Sequence, residues 1–178
     1  IKKNKILNLL QNNINKIINR DPIEIKKLIY ETLNTKIHFF KNDINENNKR
    51  LFLNFGHTFA HSIEMATEKL FKKELLRHGE AVGIGILCEI MLSNTKKNQL
   101  FFLSEKILKN YNLPTSLNYY NHNVNKQKLV DEIYRGVFLD KKKISKYPRF
   151  ISLKKIYNPK IKEIEDTGKI LEVIKLFT

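Results

Sequence analysis

Three of the chain's five histidines lie close together in the sequence, at positions 57, 61 and 78. His57 and His61 are four residues apart, so on a helix their side chains share one face. His78 begins a second apolar segment with a helical pattern. A catalytic zinc site uses three protein ligands, often imidazole nitrogens, and keeps one position open. The spacing predicts a metal site with two or all three histidines, although Thr58 rules out the metalloprotease HExxH motif.

Polar residues continue this pattern towards the N-terminus. Arg50, Asn54, His57 and His61 are spaced by four, three and four residues, which places them in one stripe along a helix and the segment leading into it. Such a stripe is a poor core-facing surface. It is typical of the wall of a pocket for an anionic, hydroxyl-rich substrate.

The following apolar segment contains two glycines, Gly83 and Gly85, that are informative about helix packing. Glycine costs about 1 kcal/mol in a helix interior relative to alanine. Their presence indicates that another element or a ligand approaches this helix closely. The same segment contains the only cysteine, Cys88, so the chain forms no internal disulfide, and we expect a buried, inert thiol.

The bulk composition bounds the class of protein. The chain has 178 residues, 42% of them hydrophobic and 29% charged, which fits one globular domain with a real core. No apolar run approaches the roughly 20 residues of a membrane span. The net charge of +15 raises the possibility of an anionic partner. No nucleic-acid-binding motif accompanies it, so we expect no nucleic-acid partner. The lack of a long apolar run leads us to expect no membrane partner. A single cysteine and no visible signal peptide favour a cytoplasmic location, with an organelle left open.

Hydrophobic periodicity predicts a mainly α domain with a small β element near the C-terminus. Asp21 is predicted to cap a helix that has Pro22 at its first position. The predicted helices are 6–18, 22–40, 51–71 (or from a few residues later), 79–93, 99–111, 124–138 and 168–177, and the predicted strands are 149–153 and 160–164.

These residues resemble a known family. The segments RLFLNFGHTFAHSIE at 50–64 and HGEAVGIG at 78–85 are similar to the C-terminal domain of the 3-dehydroquinate synthases. Further similarities occur in the same order along most of the chain: Lys36, the acidic pair Asp43 and Glu46, Leu113-Pro114, and Asp140-Lys141-Lys142. The resemblance implies that 1–178 is a zinc- and substrate-binding C-terminal domain, and that an N-terminal NAD-binding domain is absent from this chain.

The resemblance also implies a reaction. Members of the family convert 3-deoxy-D-arabino-heptulosonate 7-phosphate to 3-dehydroquinate and phosphate in the shikimate pathway, using catalytic NAD and one zinc ion. His57 and His78 would then be zinc ligands, with a third ligand, a glutamate, upstream of this chain. The implied partners are a small anionic sugar phosphate and, in the full-length protein, a second copy in a homodimer.

Residue roles follow from the same resemblance. The expected catalytic residues are His61, Lys36, Arg50, Asn54 and Glu46. The expected substrate-binding residues are Lys36, Arg50, Asn54, His61, Lys141 and Lys142, and no NAD-binding residue is expected in this chain. Because the Gly-rich loop and the upstream glutamate are missing, we expect the chain alone to be inactive.

Two alternatives remain open. A related sugar-phosphate cyclase, such as 2-deoxy-scyllo-inosose synthase, shares the histidine motif but acts on another substrate. A truncated, non-catalytic domain would keep the fold without the reaction. Lys72, Lys73 and Glu74 also lengthen the loop between His61 and His78, which bears on where His78 lies.

Overall fold

The computed structural model describes residues 5–45, 49–94, 96–120, 125–139, 147–154 and 158–178, without the side chains of Asn42 and Tyr119. The described chain is mainly helical with one two-stranded sheet, as predicted. The α-helices are α1 (Lys5–Asn12), α2 (Ile14–Ile18), α3 (Pro22–Asn42), α4 (His57–Phe71), α5 (His78–Ser93), α6 (Gln99–Asn110), α7 (Lys126–Leu139) and α8 (Thr167–Phe177). Strands β1 (Arg149–Leu153) and β2 (Pro159–Glu163) pair antiparallel, and short 3-10 helices span Lys49–Asn54 and Asn118–Tyr120.

The prediction of one continuous helix over 6–18 was wrong. Asn13 separates α1 from α2 with φ −120° and ψ 29°. Its side-chain amide donates a hydrogen bond of 2.8 Å to Glu24 of α3. The apolar repeat of the sequence does not reveal this break, because the apolar side chains of α1 and of α2 both pack against α3.

The predicted cap of α3 is confirmed. The Asp21 carboxylate accepts hydrogen bonds of 3.0 Å from the backbone N–H groups of Ile23 and Glu24, and Pro22 holds the first helical position. These contacts satisfy two of the donors that a helix N-terminus leaves unpaired. The cap defines the start of the 21-residue helix that carries Lys36.

The core is built around α5, which packs against α4, α6, α8 and β1. Its residues Ile84, Leu87 and Ile90 are at most 1% exposed. Cys88 lies among them and is 1% exposed, and burial raises the pKa of its thiol well above the usual value, as expected for an inert cysteine. Phe59 and Ile63 bring α4 into the same core, which fixes the helix that begins at His57.

The close approach indicated by the glycines is confirmed. A Cβ at Gly83 would lie 3.0 Å from Leu108 of α6, and a Cβ at Gly85 would overlap the carbonyl oxygen of Gly56. Gly56 itself has φ +85°, a conformation that disfavours residues with a side chain. The start of α4 is therefore seated directly on the backbone of α5.

The hairpin of β1 and β2 is held to α5 by side chains. Glu89, 1% exposed, accepts a hydrogen bond of 3.0 Å from the backbone N–H of Ile151, and Ser93 accepts one of 3.2 Å from that of Leu153. The hairpin also lies beside the N-terminal part of α4, where the rings of Phe150 and Phe59 stack with centroids 5.2 Å apart. Among the described helices, none has the length and apolarity needed to cross a membrane.

Candidate functional site

The position of His57 is determined by the turn that precedes it. Gly56 adopts its left-handed conformation as the N-cap of α4, and His57 is the first residue of that helix. His61 follows one turn later. His78 is the first residue of α5, where the backbone N–H of Arg77 donates a hydrogen bond of 2.8 Å to Glu80. Two of the three histidines, His57 and His78, therefore lie at helix N-termini.

The structure brings the three histidines into one cluster. The ring centroids of His57 and His78 are 5.3 Å apart, those of His57 and His61 5.7 Å, and those of His61 and His78 5.9 Å. Residues from two helices, up to 21 positions apart, thus share one small volume. The lengthened loop at Lys72–Glu74 does not keep His78 away from the other two rings.

A carboxylate that the sequence analysis did not select completes the cluster. Glu64 Oε1 lies 2.9 Å from Nδ1 of His78. Ligand atoms of His61, Glu64 and His78 all lie within 4.8 Å of one another, a spacing suited to one metal ion. Glu64 lies three residues after His61, a helical spacing that places both side chains on one face. The sequence therefore contained the information needed to select Glu64.

His57 has the most perturbed environment of the three histidines. Its Nδ1 is buried and has no hydrogen-bond partner among the described residues. Burial lowers the pKa of His57 below its usual value, the Phe55 backbone offsets part of this effect, and His78 and His61 lower the pKa further. A ring whose protonation is disfavoured fits a metal ligand, because a metal binds the unprotonated imidazole nitrogen.

A cavity of about 230 Å³ opens beside the cluster. Its lining includes Asn54, His57, His61, Glu89 and Arg149, together with the apolar residues Leu51, Phe150, Ile151 and Ile161. The lining therefore combines amide, imidazole, carboxylate and guanidinium groups in one concave space, the mixture expected for a polar ligand. Neither Glu89 nor Arg149 was selected from the sequence. Glu89, the charged residue within the apolar run 82–91 of α5, was the available signal.

The predicted polar stripe is only partly assembled. Arg50 and Asn54 lie on the 3-10 helix, and the left-handed Gly56 interrupts the helical path between them and His57. Asn54 still lines the cavity. Arg50 is turned towards α3: its Nη1 donates a hydrogen bond of 2.7 Å to the Ile44 carbonyl oxygen, and its guanidinium lies 5.0 Å from the Phe40 ring centroid.

The remaining predicted site residues are not brought to the cavity within the described structure. Lys36 is exposed on α3 and is not among the cavity-lining residues. Asp43 is buried and accepts a hydrogen bond of 3.0 Å from the Arg50 backbone N–H, so it positions the 3-10 helix. Glu46, Lys141 and Lys142 lie outside the described residues, as does the Asp140 that precedes the lysine pair.

The fold and the site together define a helical domain that gathers three histidines and a glutamate at the junction of two core helices. Comparison with known proteins identifies the family to which this helical domain belongs. The family model described as 3-dehydroquinate synthase C-terminal matches residues 1–143. The chain belongs to that family.

Individual relatives agree with the family match. The 3-dehydroquinate synthase of Campylobacter hominis is 39% identical over 132 residues, which cover 72% of this chain and 35% of that protein. The enzyme of Campylobacter concisus is 32% identical over 91% of this chain and 44% of its own length. That of Clostridium tetani is 30% identical over 96% of this chain and 43% of its length. The chain thus spans about two-fifths of the length of these curated relatives.

Proposed function

We propose that this chain is the zinc- and substrate-binding C-terminal part of a 3-dehydroquinate synthase, which converts 3-deoxy-D-arabino-heptulosonate 7-phosphate to 3-dehydroquinate and phosphate in the shikimate pathway. The observation that carries the proposal is the histidine cluster beside a polar cavity, in a chain that belongs to this family. The complete protein would contain a front part that binds NAD. This chain by itself would then neither bind NAD nor turn over.

Zinc accepts imidazole nitrogen and carboxylate oxygen, the donor types of the grouped residues His61, Glu64 and His78. His57 lies outside that group, and its assignment as a ligand rests on the family resemblance and on its buried ring nitrogen. We assign His57 and His78 as ligands, with a glutamate of the front part as the third. Glu64 would hold His78 through Nδ1, which leaves Nε2 for the metal. Bound zinc would supply Lewis-acid stabilisation of the oxygen atoms of the substrate's reacting alcohol and carbonyl.

The other residues of this chain would bind and orient the substrate. Asn54 and His61 line the cavity and offer hydrogen bonds to hydroxyl groups, and His61 is placed to hold or move a proton next to the substrate. Arg50 and Lys36 would supply positive charge to the carboxylate and phosphate, with Arg50 suited to a bidentate contact. Glu46 and one or both of Lys141 and Lys142 complete the proposed set.

A comparison of substrates tests the assignment. The complete protein, supplied with zinc and NAD, is incubated with 3-deoxy-D-arabino-heptulosonate 7-phosphate and, separately, with the substrate of 2-deoxy-scyllo-inosose synthase. We expect phosphate release from the first alone. Release from the second alone would identify a related cyclase. Release from neither, by a folded and zinc-loaded protein, would identify a non-catalytic domain.

A further inference from the structure

A second cavity, of about 600 Å³, lies beside the hairpin of β1 and β2, and we call it the hairpin cavity. Successive side chains of a strand point to opposite faces. Ser152 and Lys154 line the hairpin cavity, whereas Arg149 and Ile151 line the cavity beside the histidine cluster, and Phe150 contributes to both. The hairpin therefore separates two cavities, and the second one is distinct from the candidate functional site.

Three elements of the fold bound the hairpin cavity. The C-terminal end of α5 contributes residues 91–94, the hairpin contributes one face, and α8 contributes Lys169, Glu172, Val173 and Leu176. The α8 residues are spaced by three, one and three positions, so they share one face of the helix. Because α5 packs against both β1 and α8, the cavity is enclosed by elements of a single core.

The deepest part of the hairpin cavity is apolar. Phe150 is 3% exposed and Val173 is 8% exposed, and the half-buried Met91, Leu92 and Ile164 also line the cavity. Small-molecule sites commonly have volumes of about 300–1,000 Å³ and a mostly apolar lining with a few polar groups. The cavity therefore has the size and the apolar floor that would bury the hydrophobic body of a small ligand.

Positive charge surrounds this apolar floor. Lys154 follows β1, Lys162 lies in β2 and Lys169 lies in α8, and all three are exposed residues of the cavity lining. Lys169 is 3.4 Å from Asp166, whereas Lys154 and Lys162 form no ion pair with any residue that the structure describes. Glu172 is the carboxylate of the described lining, which thus combines three positive charges with one negative charge.

Ser152 adds a hydroxyl group to the cavity wall. It is 6% exposed, and within the described part of the chain its hydroxyl forms no hydrogen bond. The polar side chains on the α5 side are already engaged, because Ser93 donates to the Glu89 carbonyl oxygen and Asn94 donates to that of Ile90. The Ser152 hydroxyl therefore remains available to a ligand, as both donor and acceptor.

We propose that the hairpin cavity is a second binding site, which takes a small organic anion with an apolar body and one acidic group. The body would lie on Phe150 and Val173. Ser152 and Lys154 share a strand face, and Lys162 pairs with Phe150 across the hairpin, so these polar groups can meet at one anionic group. An inorganic anion would use the lysines alone and leave the apolar floor uncovered.

Calorimetric titration of the complete protein, supplied with zinc, tests the ligand class with three probes. 2-Naphthalenesulfonate has both the apolar body and the charge, methanesulfonate has the charge alone, and 2-naphthol has the ring system without the charge. We expect 2-naphthalenesulfonate to bind with one site per chain, at least about tenfold more tightly than either of the other probes. Equal affinity for methanesulfonate or for 2-naphthol would overturn the proposal, as would no binding of 2-naphthalenesulfonate.

Lysine variants locate the bound probe. Lys154→Gln and Lys162→Gln each remove one exposed charge of the cavity, and Lys175→Gln makes the same change on α8 outside the lining. We expect the first two variants to weaken binding of 2-naphthalenesulfonate by about threefold or more each, and the double variant by about tenfold or more. Lys175→Gln should leave the affinity unchanged.

Two further results would contradict the assignment to this cavity. Equal effects of all three single variants, or no effect of any, would show that the probe binds elsewhere or through net charge alone. Removal of zinc should leave the affinity unchanged, since the histidine cluster lies in the other cavity. Loss of binding with the metal would place the probe at the candidate functional site and would overturn the proposal, whatever reaction the complete protein performs.

Discussion

At the scale of single residues, the proposed function divides the four side chains of the cluster into zinc ligands and neighbours of the metal. We predict that His57→Ala and His78→Ala each abolish zinc binding by the complete protein, because a three-ligand site that loses one ligand keeps too few. His61→Ala should retain the metal and lose rate. Zinc content per protein after dialysis measures the first effect and phosphate release the second.

His38→Ala is the matched control, since His38 lies exposed on α3 and outside the cluster. It should keep full zinc content. Zinc loss in His61→Ala together with zinc retention in His57→Ala would contradict the assignment. That result would show that the set His61, Glu64 and His78, whose ligand atoms lie within 4.8 Å, holds the metal.

The lowered pKa of His57 leads to a prediction about acid stability. Below the usual pKa of histidine, the unfolded chain takes up a proton that folded His57 resists, so protonation favours unfolding. The free energy of unfolding of the zinc-free chain should therefore decrease from about pH 7.5 to about pH 5.5. Urea midpoints at the two pH values measure this decrease, which His57→Gln should reduce. An equal decrease in the variant would assign the effect to other groups.

The site residues that are spaced along one helix could be predicted from the sequence, and those that meet only through the tertiary fold could not. His57, His61 and His78 were selected from their spacing and residue type, and the structure brings them together. Arg50 was placed in the same stripe, but the left-handed turn at Gly56 and the Phe40 ring direct it towards α3. Arg149 lines the cavity from a strand more than 85 positions after His61, a contact that exists only through the tertiary fold.

At the scale of elements, the crossing of α4 and α5 positions the cluster. We predict that Gly85→Ala destabilises the chain by about 1–3 kcal/mol or more, because its Cβ would overlap the Gly56 carbonyl oxygen and push α4 away from α5. Gly79→Ala is the control, since nothing lies within 4 Å of a Cβ there, and its effect should stay within about 1 kcal/mol. Chemical denaturation measures both. Equal stabilities would show that the two helices separate without cost.

The elements were largely predictable because their signals are local. The Asp21 cap, the apolar run that forms α5, and strand β1 at Arg149–Leu153 were all read from adjacent residues. The break at Asn13 was missed because it depends on a hydrogen bond to Glu24 of another helix. The 3-10 geometry of Lys49–Asn54 was missed for a similar reason, since Asp43 holds its start from outside the motif.

At the scale of the whole molecule, the chain corresponds to only part of the length of its relatives. Its core is built around α5, large apolar side chains of α3 are exposed, and the chain spans about two-fifths of its relatives' length. The net charge of +15 would favour the approach of a substrate that carries a carboxylate and a phosphate. In the function that we propose, this chain would supply metal ligands and cationic groups, and NAD would be bound by the front part of the complete protein.

The most direct measurement is phosphate release from 3-deoxy-D-arabino-heptulosonate 7-phosphate by the complete protein, before chelation, after chelation, and after zinc is restored. The account predicts release that is lost with the metal, returns with zinc, and is absent from His57→Ala under all three conditions. Release that persists after chelation and in His57→Ala would contradict it, because the histidine cluster would then have no part in the reaction.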